Sequence, residues 1–171
     1  VVARELSDSK SAGSAAGRSE AAALDPSLHT PRITELEHWQ VVVPRVRTLA
    51  DLPWTVWLDS AAPGAGASGR YDIVVADPFV TLRTRGAVTT IAARDGAVTT
   101  STQPPLQLLR EQLGELAEPA DGLPFCGGAV GYFGYDLGRR FERIPSVAVA
   151  DIDMPDLSVG IYDWAVIVDH E

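Results

Sequence analysis

Between Trp54 and Gln103 apolar and polar positions trade places every one or two residues, the short period of strands that bury one face. WTVWLDS (54–60) is rich in β-branched and aromatic residues and reads as a strand. AAPGAGASG is a loop by composition, and YDIVVADP (71–78) returns to a buried strand. FVTLRTRG, AVTTIAARDG and AVTTSTQ then give three short β segments punctuated by Gly86 and Gly96. The Asp95-Gly96 pair between β-rich runs is a hairpin signal, so this stretch is a meander. Upstream, ITELEHWQVVVP alternates imperfectly and reads as a strand closed by Pro44, followed by a helical turn over Val46–Leu52 that ends before Pro53.

The period lengthens once. Pro104 and Pro105 open PPLQLLREQLGEL, where Leu106, Leu109, Leu113 and Leu116 fall on one stripe of an amphipathic helix. After a loop come the glycine-rich FCGGAVGYFGYDLGRRFERIP, an acidic linker over 150–156, and LSVGIYDWAVIVDHE. The last reads as one strand from Ser158 to Val168, running to a turn signal at Asp169-His170 without a hairpin partner. The expectation is a polypeptide that continues beyond Glu171. Residues 1–30 are rich in Ala and Ser and lack aromatic side chains, so they bury too little apolar surface to offset backbone entropy of about 1–2 kcal/mol per residue. They read as a disordered leader, with a marginal helix around Ser19–Leu24, in front of one domain over 31–171. The fold class is α+β, mainly antiparallel sheet with few helices.

Composition narrows the partners more than the fold. The 171 residues suit one domain, and a formal net charge of −9 argues against nucleic acid and anionic membrane surfaces. No apolar run approaches the roughly 18 residues of a membrane span. One cysteine, Cys126, and the scattered His29, His38 and His170 offer neither an internal disulfide nor a metal-ligand spacing, which fits a reducing, cytoplasmic setting. There is no signal-peptide pattern and no Met at position 1; the sole methionine is Met154.

The segments that could carry chemistry have ordinary readings. Glycines 127, 128, 131, 134 and 138 match neither the dinucleotide fingerprint nor the phosphate loop, and glycine inside a strand more often marks a close backbone approach. Arg139, Arg140 and Arg143 lie among Asp136 and Glu142, as in a self-paired charged turn. Asp151, Asp153 and Asp156 lack the glycine and glutamate of a calcium loop. No catalytic residue and no metal ligand can be nominated.

Two long segments carry a resemblance. FCGGAVGYFGYDLGRRFERIP followed by MPDLSVGIYDWAVIVDH, with LPWTVWLDSA and GRYDIVVADP upstream, resembles the N-terminal region of the aminodeoxychorismate synthase component I family, continuously from Pro53 to Glu171. Anthranilate synthase component I shares GGAVGYFGYD, whereas DLGRRFE and GIYDWAVIVDH favour the p-aminobenzoate branch. The resemblance implies an N-terminal domain of the anthranilate synthase component I-like fold, truncated before the chorismate-binding catalytic domain and therefore inactive by itself. The parent enzyme would make 4-amino-4-deoxychorismate from chorismate and ammonia for folate synthesis. A glutamine amidotransferase subunit or domain would supply the ammonia, and chorismate and Mg²⁺ would bind only through the missing domain. This region of the family holds free L-tryptophan, for feedback inhibition in the anthranilate branch and structurally in the other. The matching positions are Ser60, Ser68, Gly69, Arg70 and Tyr71. Two alternatives are the anthranilate enzyme itself and a free-standing tryptophan-binding or interaction module.

Overall fold

The computed structural model describes residues 2–5, 32–35, 47–61, 69–114, 122–145, 147 and 151–171. Among the described residues ten strands form two five-stranded antiparallel sheets. The first sheet has the order β2(Arg32–Glu35), β1(Val2–Glu5), β10(Ala165–Asp169), β4(Tyr71–Val75), β3(Val56–Leu58). The second has the order β7(Val98–Ser101), β6(Val88–Ala93), β5(Val80–Arg85), β9(Leu157–Tyr162), β8(Gly128–Phe133). The meander is present as read: β5, β6 and β7 are sequential antiparallel neighbours. Gly96, at φ 92°, makes the turn of the β6–β7 hairpin, a left-handed conformation that favours glycine, and the Asp95 carboxylate accepts the Ala97 N–H at 3.0 Å.

The expected single strand over 158–168 is two strands in different sheets. β9 runs in the second sheet between β5 and β8, the chain bends at Asp163, and β10 continues in the first sheet between β1 and β4. The chain crosses back the same way between β4 and β5, where Asp77 stands at φ 47° ahead of Pro78. Arg94, arriving from the end of β6, ties the two crossings together: its guanidinium bonds both Asp163 carboxylate oxygens, at 2.7 and 3.0 Å, and pairs with the Asp77 carboxylate at 3.2 Å. Strands that switch sheets through bends in this way make the corners of a two-sheet β structure. The strand that appeared to lack a partner is therefore hydrogen-bonded on both sides, to β1 and to β4. β1 itself comes from the segment read as a disordered leader; residues 6–31, including Ser19–Leu24, lie outside the described residues.

The helix α1(Pro105–Leu113) packs on the second sheet. Pro105 occupies its first turn and Gly114 ends it at φ 60°. The buried residues are Pro105, Leu108, Leu109 and Gln112, so the apolar stripe is rotated from the one expected: Leu106 is 40% exposed, Leu113 is partly buried, and Leu116 lies outside the described residues. Leu108 and Leu109 meet Val80, Leu82, Leu157, Val159 and Ile161 from the sheet, with Leu137 from the 3-10 helix over Tyr135–Arg140. A second cluster joins the two sheets, with Val75 and Ile167 from one and Tyr162 and Val130 from the other. Burial at about 25 cal/mol per Å² of apolar surface makes clusters of this kind a main source of cohesion.

Inside the second sheet Thr84 and Thr89 are fully buried and share a hydroxyl hydrogen bond of 2.9 Å across β5 and β6. Thr84→Val leaves the Thr89 hydroxyl without that partner and should cost about 1–2 kcal/mol in denaturant unfolding. The double change to Val at 84 and 89 should recover most of that loss, because it removes both polar groups together.

Candidate functional site

Of the positions singled out by resemblance, the described ones, Ser60, Gly69, Arg70 and Tyr71, gather at one end of the first sheet, where β3 ends, β4 begins and β10 ends. Register brings them there: Leu58 lies opposite Ile73, and Asp169 opposite Tyr71. The Ser60 hydroxyl donates to the Tyr71 carbonyl, and the Ser60 N–H donates to Asp72 Oδ1 at 2.8 Å. Gly69 is buried, and Ser68 lies outside the described residues. The Arg70 guanidinium forms a two-pronged bond with Asp169, at 2.9 and 2.7 Å, reaches Glu171 at 2.9 Å, and stacks over the Tyr71 ring at 4.8 Å. Arg70 is thus committed to carboxylates of its own chain.

Charge in this cluster is arranged in two layers. The outer pair, Arg70 and Asp169, is about one-third exposed. The Arg70 hydrogen bonds hold the Asp169 carboxyl below its ordinary value, with smaller help from the Glu171 N–H, and Asp169 in turn raises the Arg70 guanidinium. A lowered carboxyl contributes stability above the ordinary carboxylate range and loses it as pH falls through the folded value. Solvent screening keeps the contribution of so exposed a pair small. The inner layer is Asp72, 4% exposed, whose Oδ1 accepts the Ser60 N–H and whose Oδ2 lies 3.0 Å from His170 Nε2. The His170 backbone N–H donates to the Arg70 carbonyl at 2.9 Å.

Sequence reasoning passed over Asp72 and His170. A signal existed for the first: in YDIVV the alternation that sends Val74 inward also sends Asp72 inward, and an acidic residue at an inward position needs partners. The second needs the fold, since 98 residues separate it from Asp72. Serine, histidine and aspartate meet here, yet the serine proton is directed at a backbone carbonyl, so this is a positioning network with no activated nucleophile.

Elsewhere, in the charged turn Arg139 pairs internally, with Asp136 at 2.9 Å and the Ile144 carbonyl at 2.6 Å, while Arg140 leaves the turn to bind the Gly86 carbonyl between β5 and β6. An open cavity of about 460 Å³ lies among Gly86, Asp136, Arg139, Arg140 and Asp156. Asp153 pairs with Arg85, and Asp156 accepts the Gly86 N–H at 2.9 Å. Among the described residues no group of three or more His, Cys, Asp or Glu side chains converges as metal ligands would. Among the described residues no helix is long and apolar enough to cross a membrane.

No family model matches the chain. Over 127 residues, 72% of its length, it is 50% identical to aminodeoxychorismate synthase component 1 of Klebsiella aerogenes. The chain is a homologue of aminodeoxychorismate synthase component 1. It spans 28% of that relative. Anthranilate synthase component 1 of Mycolicibacterium smegmatis is 37% identical over 124 residues, 71% of this chain and 23% of the relative. Among solved structures, anthranilate synthase component I from Streptococcus pneumoniae TIGR4 superposes with a TM-score of 0.51 at 27% identity, covering 60% of this chain and 22% of that one. The fold is therefore of the anthranilate synthase component I type, with the mainly antiparallel sheets and few helices expected of it.

Proposed function

We propose that the chain is the N-terminal region of an aminodeoxychorismate synthase component I, a cytoplasmic enzyme that makes 4-amino-4-deoxychorismate from chorismate and ammonia on the way to folate. The observation that carries this reading is the 50% identity to the Klebsiella aerogenes relative, against 37% to the Mycolicibacterium smegmatis anthranilate relative over a span of similar length. On this reading ammonia comes from a glutamine amidotransferase subunit or domain. Chorismate and Mg²⁺ bind through the roughly three-quarters of the relative that this chain does not match, and no step of the chemistry runs through residues 1–171.

The part assigned to this region is a site for free L-tryptophan at the ends of β3, β4 and β10, formed by Ser60, Ser68, Gly69, Arg70 and Tyr71. Its chemistry supports the assignment. Serine oxygens and strand-end backbone groups suit an amino acid's charged ends, and the partly buried Tyr71 ring offers an apolar wall. Arg70, held by Asp169 and Glu171, would act by fixing that wall.

The test uses the full-length product of the gene that encodes this chain, incubated with chorismate and ammonium salt, with products separated chromatographically. Aminodeoxychorismate is the expected product. Anthranilate with pyruvate would move the chain to the other branch, and no turnover of chorismate in the presence of an active amidotransferase would overturn the enzymatic reading.

A further inference from the structure

Asp72 is the least exposed carboxylate described in the cluster, and burying a carboxylate is unfavourable unless hydrogen bonds replace its water. Its two oxygens are used differently. Oδ1 takes the backbone N–H of Ser60, and Oδ2 faces His170 Nε2. The carboxylate therefore links three chain segments: the end of β3 through Ser60, β4 through its own backbone, and the end of β10 through His170. The Ser60 hydroxyl, bonded to the neighbouring Tyr71 carbonyl, is oriented by the same clamp. Arg70 forms a separate and more exposed pairing on the outside.

We propose that Asp72 is the positioning residue for Ser60 in the amino-acid site, and that His170, on the other oxygen of the same carboxylate, couples that position to its own protonation. The role in ligand binding rests on the tryptophan reading; the coupling does not. A protonated imidazole meets the carboxylate as an ion pair and a neutral one as a hydrogen-bond donor, so the carboxylate's hold on the Ser60 N–H changes with the proton. Charged and titratable groups at the same strand ends include Arg70 and Tyr71 at the start of β4, Asp59 beside Ser60, and Asp169 and Glu171 at and just after the end of β10.

The variants separate positioning from packing. Asp72→Ala removes both bonds. Asp72→Asn keeps an oxygen for the Ser60 N–H and presents an amide N–H₂ to His170, which can accept it only when the ring is neutral. In calorimetry with free L-tryptophan, Asp72→Ala should bind about tenfold more weakly than the wild type at both about pH 5.5 and about pH 8.5. Asp72→Asn should stay within about threefold at the higher pH and fall about tenfold at the lower. Equal behaviour of the two variants at both pH values would overturn the inference. A measurement without ligand keeps the two readings apart: in the wild type the backbone amide resonance of Ser60 should titrate together with the His170 ring. If that resonance does not titrate with His170, the coupling is wrong whatever the ligand does. If it does, and the wild type gives no heat with L-tryptophan, the tryptophan reading fails and the coupling stands.

Discussion

Gly131→Val should lower the thermal midpoint by about 6–12 °C, equivalent to about 3 kcal/mol at 2–4 °C per kcal/mol for a chain of this size. Gly131 lies in β8 opposite Val159 of β9. A Cβ built on it would stand 2.6 Å from Val159 Cα and 3.0 Å from the Ser158 carbonyl carbon, and would overlap the Ser158 carbonyl oxygen. All three atoms are backbone, so no side chain can rotate away, and the strand must move as a unit. Overpacking that a core accommodates typically costs about 1–3 kcal/mol. Here the cost sits at the top of that range, because displacing β8 breaks the ladder from Gly128↔Tyr162 to Phe133↔Leu157 and draws Val130 out of the cluster that joins the sheets. Ala129→Val, at the exposed neighbouring position, is the control and should fall within about 0.5 kcal/mol of the wild type. A Gly131→Val protein melting within about 2 °C of the wild type would mean that β8 does not approach β9 as closely as the structure has it.

The same glycine shows what was legible in the sequence. A glycine inside a β-rich run announces a close backbone approach, and at Gly131 the approach is there; what the sequence could not name was the opposite strand, 28 residues on. The β5–β7 meander was readable because its contacts are between neighbours and its β6–β7 turn carries a local Asp-Gly signal. Local signals failed wherever tertiary contacts choose between equal alternatives. PLQLLREQL has leucines on two adjoining stripes, and the face toward Leu82 and Ile161 selects Leu108 and Leu109 over Leu106. The break at Asp163 is invisible in a run as apolar as LSVGIYDWAVIV, because it depends on Arg94 pairing with both Asp163 and Asp77. β10 gains a partner from residues 2–5, about as far away in sequence as the chain allows. For the site, resemblance supplied Ser60, Gly69, Arg70 and Tyr71 as a strand-end set, and the described part of that set does gather there. Asp72, whose only local sign is its inward place in YDIVV, and His170, which follows β10, tie that set together across 98 residues of sequence.

Raising the pH from 9 to 12 should remove about 2–3 kcal/mol of stability from the wild type through a single phenol, and Tyr162→Phe should lack that loss. Tyr162 is 1% exposed at the end of β9, and burial pushes its hydroxyl up to about 12 from an ordinary value near 10. The unfolded chain ionises this phenol as pH passes about 10, while the folded chain keeps the proton until about 12. Between those values the unfolded state binds fewer protons, so stability falls with rising pH; below about 10 the contribution is complete. The hydroxyl donates to the Trp54 carbonyl at 2.8 Å, and Trp54 itself is held at φ 57°, so Tyr162→Phe also strands a carbonyl at a turn and should cost about 1–2 kcal/mol at pH 8. Denaturant midpoints at pH 8 and pH 11 separate the two effects: the variant starts lower and declines less. Gly160 provides a second handle on the same ring. A Cβ there would meet the Tyr162 hydroxyl and ring atoms at 2.7–2.9 Å, so Gly160→Ala must push the ring off its seat and weaken the bond to Trp54. If burial of this phenol causes the alkaline loss, Gly160→Ala should shrink it in step with the ring's gain in exposure; an undiminished loss in both variants would assign it to another group.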